Sequence, residues 1–167
     1  MPLINLKIIL EKAKKENYAI GAFNIYNIED ITAVILAAEE ANAPVILQAC
    51  GSDLGYSTIE DIAGLVTRRA RQSIVPICLH LDHSTDYSSI FKAIKEGFSS
   101  VMFDGSLLSY EENMAKTREI VKIAHALDVT VEAEIGRVGR SDDEESNFEE
   151  SLSNPVVIGI IRNKINE

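Results

Sequence analysis

Short apolar runs and amphipathic stretches alternate along this chain. Residues 18–24 (YAIGAFN) form a compact, partly aromatic apolar run of strand length. Ile28, Ile31, Val34, Ile35 and Ala38 follow at helical spacing, and the predicted helix ends at Asn42, ahead of Pro44. Residues 45–48 read as a second strand. Ser57 and Glu60 have capping-box spacing and open a helix whose apolar stripe is Ile59, Ile62, Leu65 and Val66. Residues 76–81 read as a third strand, and Ile90, Phe91 and Ile94 mark a third helix that Gly97 can close. Residues 100–103 give a fourth strand. Ser109 and Glu112 repeat the capping box before a helix running to about residue 127, and residues 129–135 give a fifth strand. No element is assigned ahead of residue 18; the apolar run in the first ten residues is too short for a signal peptide.

Five strands and four helices in strict alternation, with short connections, imply an α/β fold with a parallel sheet and right-handed crossovers. Periodicity leaves two architectures open, a doubly wound sheet and a (β/α)8 barrel. No GxGxxG turn follows the first strand, which weakens a dinucleotide-binding reading. A barrel typically takes about 250 residues, so 167 residues are expected to be too few to close one alone.

Composition narrows the partners. A 46% hydrophobic content supports a packed core, and 25% charged residues fit an ordinary soluble domain, expected in the cytoplasm. A net charge of -10 repels phosphate backbones, so no nucleic-acid partner is expected. No apolar run is long enough to span a bilayer, and no membrane partner is expected. An acidic chain still binds an anionic small molecule where a metal or backbone N–H groups supply local positive charge. Cys50 and Cys78 have no spacing that suggests a disulfide framework or a cysteine-rich metal site, and read most simply as buried small hydrophobes.

The informative feature is what stands at the strand ends. Asn24 ends the first predicted strand and Gln48 the second. In LHLDHS, alternation turns Leu79 and Leu81 to the helices and His80 and Asp82 inward, with His83 just past the strand. Asp104 follows the fourth strand, and Glu132 and Glu134 share a face of the fifth. All these groups lie at the end of the sheet where parallel α/β folds place their active sites. Several carboxylates gathered there need a cation or donors, and His with Asp and Glu suits zinc or another divalent ion. Taken singly, each has a plainer role: His80 as a satisfied core histidine, Asp104 as a turn residue before Gly105 and Ser106, and Glu132 as a structural hydrogen-bonding group.

The successive segments GAFNIYN, APVILQ, LHLDHS, GFSSVMFDGS, YEEN and VEAEIGRVG resemble the signatures of class II aldolases, in order, over residues 1–143. The phrasing GFSSVMFDGS with YEEN is closer to fructose-bisphosphate than to tagatose-bisphosphate members. The resemblance implies a (β/α)8 barrel and zinc-dependent aldol chemistry on a sugar phosphate, with family members commonly dimeric or larger, so a homo-oligomer is expected. It implies that Asp82 is the acid/base group, that His83 is a ligand of the catalytic zinc, and that Asp104 and Glu134 hold the metal in a second, displaced location. Asn24 and Gln48 match polar positions near the substrate.

The chain also departs from that pattern. The family adds two zinc histidines from later strands, whereas the histidines here are His80, His83 and His125. Cys50 stands where the family has a serine near a substrate phosphate. Gly139-Arg140-Ser141-Asp142 stands where the family has a Gly-Gly pair before a catalytic glutamate, which makes Asp142 the possible catalytic acid. Residues 1–143 are therefore read as a partial barrel, truncated to about the first five βα units, and residues 144–167 as a divergent acidic tail. The alternative function is a non-catalytic remnant that binds metal weakly or pairs with another barrel fragment. Five strands of eight leave an open edge and an uncovered face, so self-association is expected.

Overall fold

The computed structural model describes residues 3–52 and 54–135. Its elements, in chain order, are α1 (Leu6–Glu16), β1 (Ala22–Asn24), α2 (Ile28–Glu40), β2 (Val45–Cys50), α3 (Ile59–Gln72), β3 (Ile77–Ser84), α4 (Tyr87–Glu96), β4 (Ser100–Phe103), α5 (Tyr110–Ala126) and β5 (Thr130–Ala133). The strands form one parallel sheet in the order β1-β2-β3-β4-β5. A doubly wound sheet reverses direction at a switch point. Among the described residues this order never reverses, so the sheet is of the (β/α)8-barrel type, and the described residues hold five of its strands. Among the described residues, no helix is long and apolar enough to cross a membrane.

The two faces of the sheet have different chemistry because side chains alternate along each strand. One face carries Leu47, Leu79, Leu81, Val101 and Phe103, which are buried against Ile31, Ile35, Ile62, Val66, Ile90 and Ile120 of α2 to α5. The other is the concave, inner face. Its middle row, set by register, runs Asn24, Gln48, His80, Ser100, Thr130. Below that row, Ile46 and Cys78 form a second apolar cluster with Leu6 and Ile9 of α1. Burial pushes the Cys78 thiol up to about 12, so it behaves as the small hydrophobe expected of it.

The sequence reading misses α1, although Leu6, Ile9 and Ala13 have helical spacing and are all buried. Asn5 caps this helix by accepting from the Ile8 N–H at 3.1 Å, and its Nδ2 donates to Asp128 Oδ1 at 2.8 Å in the turn before β5. Element boundaries also move. The α3 capping box is Thr58 with Asp61, one residue beyond the expected pair. Ser57 instead donates its N–H to Leu54 O within the preceding turn, and Glu60 pairs with Lys92 Nζ at 2.8 Å. Strand β1 is shorter than residues 18–24, because Tyr18 donates its N–H to Ala13 O and closes α1. Strand β3 is longer than residues 76–81 and carries Asp82 and His83 within it. The α5 box forms as expected: Ser109 Oγ accepts from Glu112 N, and Glu112 Oε2 accepts from Ser109 N.

Asn5 joins the first helix to the last described turn across 123 residues of chain. Asn5→Ala removes a helix cap and a long-range hydrogen bond together, and is expected to cost about 1–2 kcal/mol of stability. A urea titration of the two proteins checks this; coincident midpoints would mean that α1 is not held through Asn5.

Candidate active site

Parallel pairing brings the C-terminal ends of β2 to β5 to one mouth of the sheet. At the third strand the ladder is irregular. Leu81 pairs with Val101 and Ser84 with Phe103, so Asp82 and His83 together oppose Met102 alone. That is a β-bulge, and His83 absorbs it with a left-handed backbone, φ 48°. For a non-glycine residue this costs roughly 1 kcal/mol or more. The extra residue keeps Leu81 in the helix-side core and leaves two consecutive polar side chains, Asp82 and His83, at the mouth.

Next to the bulge, Asp104 follows β4. Its Oδ1 accepts from the Ser106 N–H at 3.0 Å and the Ser106 hydroxyl at 2.6 Å, the turn role expected of it. Its second oxygen, Oδ2, lies 3.5 Å from His83 Nδ1. Glu134 follows β5, with Oε2 3.7 Å from the same nitrogen. One ligand-capable atom from each of His83, Asp104 and Glu134 falls within 4.8 Å of the others. Bonds of about 2.1 Å arranged tetrahedrally hold ligand atoms roughly 3.4 Å apart. The two nitrogen-to-oxygen spacings of 3.5 and 3.7 Å are close to that value, and an imidazole with two carboxylates is a donor set that suits a divalent cation. Burial alone would raise the Asp104 carboxyl, but the Ser106 hydroxyl and N–H, with His83, more than offset this and hold it below the usual range.

These residues line an open cavity of about 600 Å³ together with Cys50, Ser52, Thr85, Ser106, Leu107, Leu108 and Lys116. Cys50 is only half-buried, with Sγ 3.0 Å from Ser52 Oγ, so it is not the buried hydrophobe expected from the sequence. As the last residue of β2 it lies where the sheet opens. Lys116 reaches the cavity from α5, a contribution that strand-end reasoning overlooks. Leu107 and Leu108 come from the β4–α5 loop.

Asp82, Asn24 and Gln48 do not line this cavity. Asp82 lies opposite Cys50 in register, with Oδ1 4.0 Å from His80 Nε2. Gln48 pairs in register with both Asn24 and His80. The Asn24 amide donates to the Tyr26 hydroxyl at 3.4 Å, and both are exposed. Asp142 lies outside the described residues, as do residues 144–167.

Beneath the mouth, His80 is 1% exposed. Its Nδ1 is 2.8 Å from Ser100 Oγ, while Nε2 has no hydrogen-bond partner and lies 3.4 Å from Glu132 Oε2. The expectation of a satisfied core histidine thus holds for one ring nitrogen only. Burial lowers its pKa to about 4, against the opposing pull of Asp82, so the ring is neutral near pH 7. Glu132 moves the other way: burial and the charges of Asp82 and Glu134 raise its carboxyl, against the pull of His83.

The sequence and the fold have counterparts among known proteins. The family model for class-II fructose-bisphosphate aldolase matches residues 4–160. The fructose-bisphosphate aldolase of Thermus caldophilus is 41% identical over 149 residues, which cover 88% of this chain and 48% of that protein. The sulfofructosephosphate aldolase of Alkalicoccus urumqiensis is 39% identical over 144 residues, covering 86% and 50%. The crystal structure of the YdjI aldolase from Escherichia coli K12 superposes with a TM-score of 0.87 at 30% identity, covering 98% of this chain and 59% of that one. The chain spans about half the length of the curated relatives it matches.

The depressed pKa of His80 has a consequence for stability. The unfolded chain takes up this proton near the ordinary pKa of 6.5, whereas the folded chain refuses it until about 4. His80 therefore leaves stability intact above pH 6.5 and erodes it as pH falls through that window, by about 3 kcal/mol in all. Denaturant titrations between pH 7 and 4 should show a shallower loss in His80→Gln than in the parent. Equal slopes would remove His80 as the cause.

Proposed function

The chain belongs to the class II fructose-bisphosphate aldolase family, and from that premise we propose that it carries the front half of a zinc-dependent aldolase site. The reaction is cleavage of a ketose 1,6-bisphosphate, fructose 1,6-bisphosphate to dihydroxyacetone phosphate and glyceraldehyde 3-phosphate, and its reversal, in the cytoplasm. The observation that carries this reading is the convergence of His83, Asp104 and Glu134 from three strands on one point.

Aldol cleavage leaves electron density on a carbon beside a carbonyl. When bound, zinc supplies the Lewis acidity that stabilises this charge. His83 would hold the ion from the bulge in β3, and Asp104 and Glu134 from the ends of β4 and β5. The alternative, a Schiff base, needs a lysine at the reacting carbon. Lys92 and Lys95 are on α4, and Lys116, which does line the cavity, comes from α5. Lys116 is better suited to an anionic group of the substrate, with Ser52 as a hydroxyl donor.

Asp82 is next to His83 and serves as the acid/base group. In cleavage it removes the proton from the hydroxyl that becomes the aldehyde oxygen as the carbon–carbon bond breaks. In condensation it returns the proton to that oxygen. Asn24 and Gln48 contribute polar contacts to the substrate from the first two strands, and Asp142 is the candidate for a second proton-transfer group.

A second reading has its own support. The described donor set has three members, and the chain's other histidines, His80 and His125, are a buried residue under the site and an exposed one on α5. In this reading the chain binds the cation but turns nothing over without a further barrel segment or a second copy.

Zinc and EDTA separate the two. Cleavage of fructose 1,6-bisphosphate by the chain, abolished by EDTA, supports the enzyme; zinc binding without cleavage selects the second reading. In either case His83→Ala is expected to weaken zinc binding by more than about tenfold in calorimetry. Asp82→Ala should leave zinc affinity near the parent value and remove cleavage. Parental zinc affinity in His83→Ala would remove the site, and parental turnover in Asp82→Ala would remove the proposed acid/base.

A further inference from the structure

The two carboxylates of the cation site stand just past the ends of β4 and β5, where the sheet is weakening. The last pair in register is Phe103 with Ala133, and the Glu134 N–H reaches Phe103 O at a long 3.4 Å. Beyond this point a helix side chain takes part. Asn113 is on the first turn of α5 and is buried. Its Nδ2 donates to the main-chain oxygen of Glu134 at 2.8 Å. Its Oδ1 accepts from the Thr117 hydroxyl at 3.1 Å, one turn further along the helix, and Thr117 is buried as well.

The same carboxamide fits against the residue after Asp104. A Cβ placed on Gly105 would come within 2.3 Å of Asn113 Oδ1 and 2.9 Å of Nδ2. That amide is buried and bonded at both ends, so it has nowhere to retreat, and position 105 accepts only glycine while Asn113 stays in place. The helix itself is fixed close by. The Ser109–Glu112 capping box starts α5, and Leu108 N–H donates to Gly105 O across the intervening turn. One side chain therefore touches the turn that carries Asp104 and the strand end that carries Glu134.

We propose that Asn113 is a positioning residue of the cation site, whose carboxamide sets the separation of the Asp104 and Glu134 carboxylates by clamping Gly105 on one side and the Glu134 carbonyl on the other. Asn113 makes no contact with the cation; it acts through the two ligands. The inference rests on the reading of His83, Asp104 and Glu134 as a cation site. Groups that orient ligands typically change metal affinity by 10- to 100-fold when removed, and a readout independent of turnover is available in cobalt(II), whose visible bands report ligand geometry.

The test is a Co2+ titration of the full 167-residue chain, followed by calorimetry and visible absorption, on the parent and on His83→Ala, Asn113→Ala and Thr117→Val. Asn113→Ala should bind Co2+ about tenfold or more weakly, with shifted visible bands, while its far-UV circular dichroism stays at the parent value. Thr117→Val keeps the packing volume but frees Oδ1, and should move affinity and bands in the same direction by a few-fold. Parental affinity and bands in folded Asn113→Ala overturn the proposal; should that variant not fold, the same result in Thr117→Val does so. Parental binding by His83→Ala would overturn the site reading itself, and the proposal with it.

Discussion

Two carboxylates held beside one imidazole at the open end of a parallel sheet repel each other until a positive charge lies among them. That electrostatic demand orders much of this structure. His83 Nδ1 is 3.5 Å from Asp104 and 3.7 Å from Glu134, and Lys116 is the cationic side chain that lines the same cavity. Each of these three residues is held by a separate local feature. A bulge and a left-handed residue turn His83 to the mouth, the Ser106 turn fixes one oxygen of Asp104, and Asn113 holds the Glu134 backbone. Rigid placement of like charges costs stability in the empty site, and in the cation-site reading proposed above it would be returned as affinity for a cation.

The rest of the fold supplies the rigidity. On the helix side of the sheet, a continuous apolar core from Ile31 to Ile120 fixes the strands, so the register that aligns Asn24, Gln48, His80, Ser100 and Thr130 is not free to slip. On the inner side, α1 covers only the end away from the site, through Leu6 and Ile9. The inner face thus runs from apolar at the α1 end, through the buried neutral ring of His80, to charged at the mouth. That gradient keeps the carboxylates where solvent and ligand reach them.

Much of this was legible in the sequence, because it depends on periodicities. Alternation of strand-like and helix-like runs gave the parallel sheet, and period-two alternation in LHLDHS placed Leu79 and Leu81 in the core and His80 inward. What escaped depends on local departures from period. The bulge inserts one residue into β3, and nothing in the composition of LHLDHS marks it; a strand ending before His83 is the simpler reading of the same letters. Helix α1 escaped for another reason. Its stripe of Leu6, Ile9 and Ala13 has the right spacing, but lysines and glutamates surround it and only the Asn5 cap signals its start. Asn113 was visible inside YEEN as part of a family-like phrase, yet its role depends on Gly105 and Glu134, which are neighbours in space alone. The α3 cap depends on local geometry in the same way: Ser57 and Thr58 are adjacent hydroxyls, and the turn at Leu54 decides which one caps the helix.

The most direct test of the central claim, that these strand ends form one cation site with a single imidazole and carboxylate oxygens, is X-ray absorption spectroscopy of the zinc-loaded chain. The expected result is a shell of nitrogen and oxygen at about 2.0–2.2 Å, with the multiple-scattering signature of one histidine ring that disappears in His83→Ala. A sulfur scatterer at about 2.3 Å, as Cys50 would give, or the signature of two or more imidazoles, would contradict it.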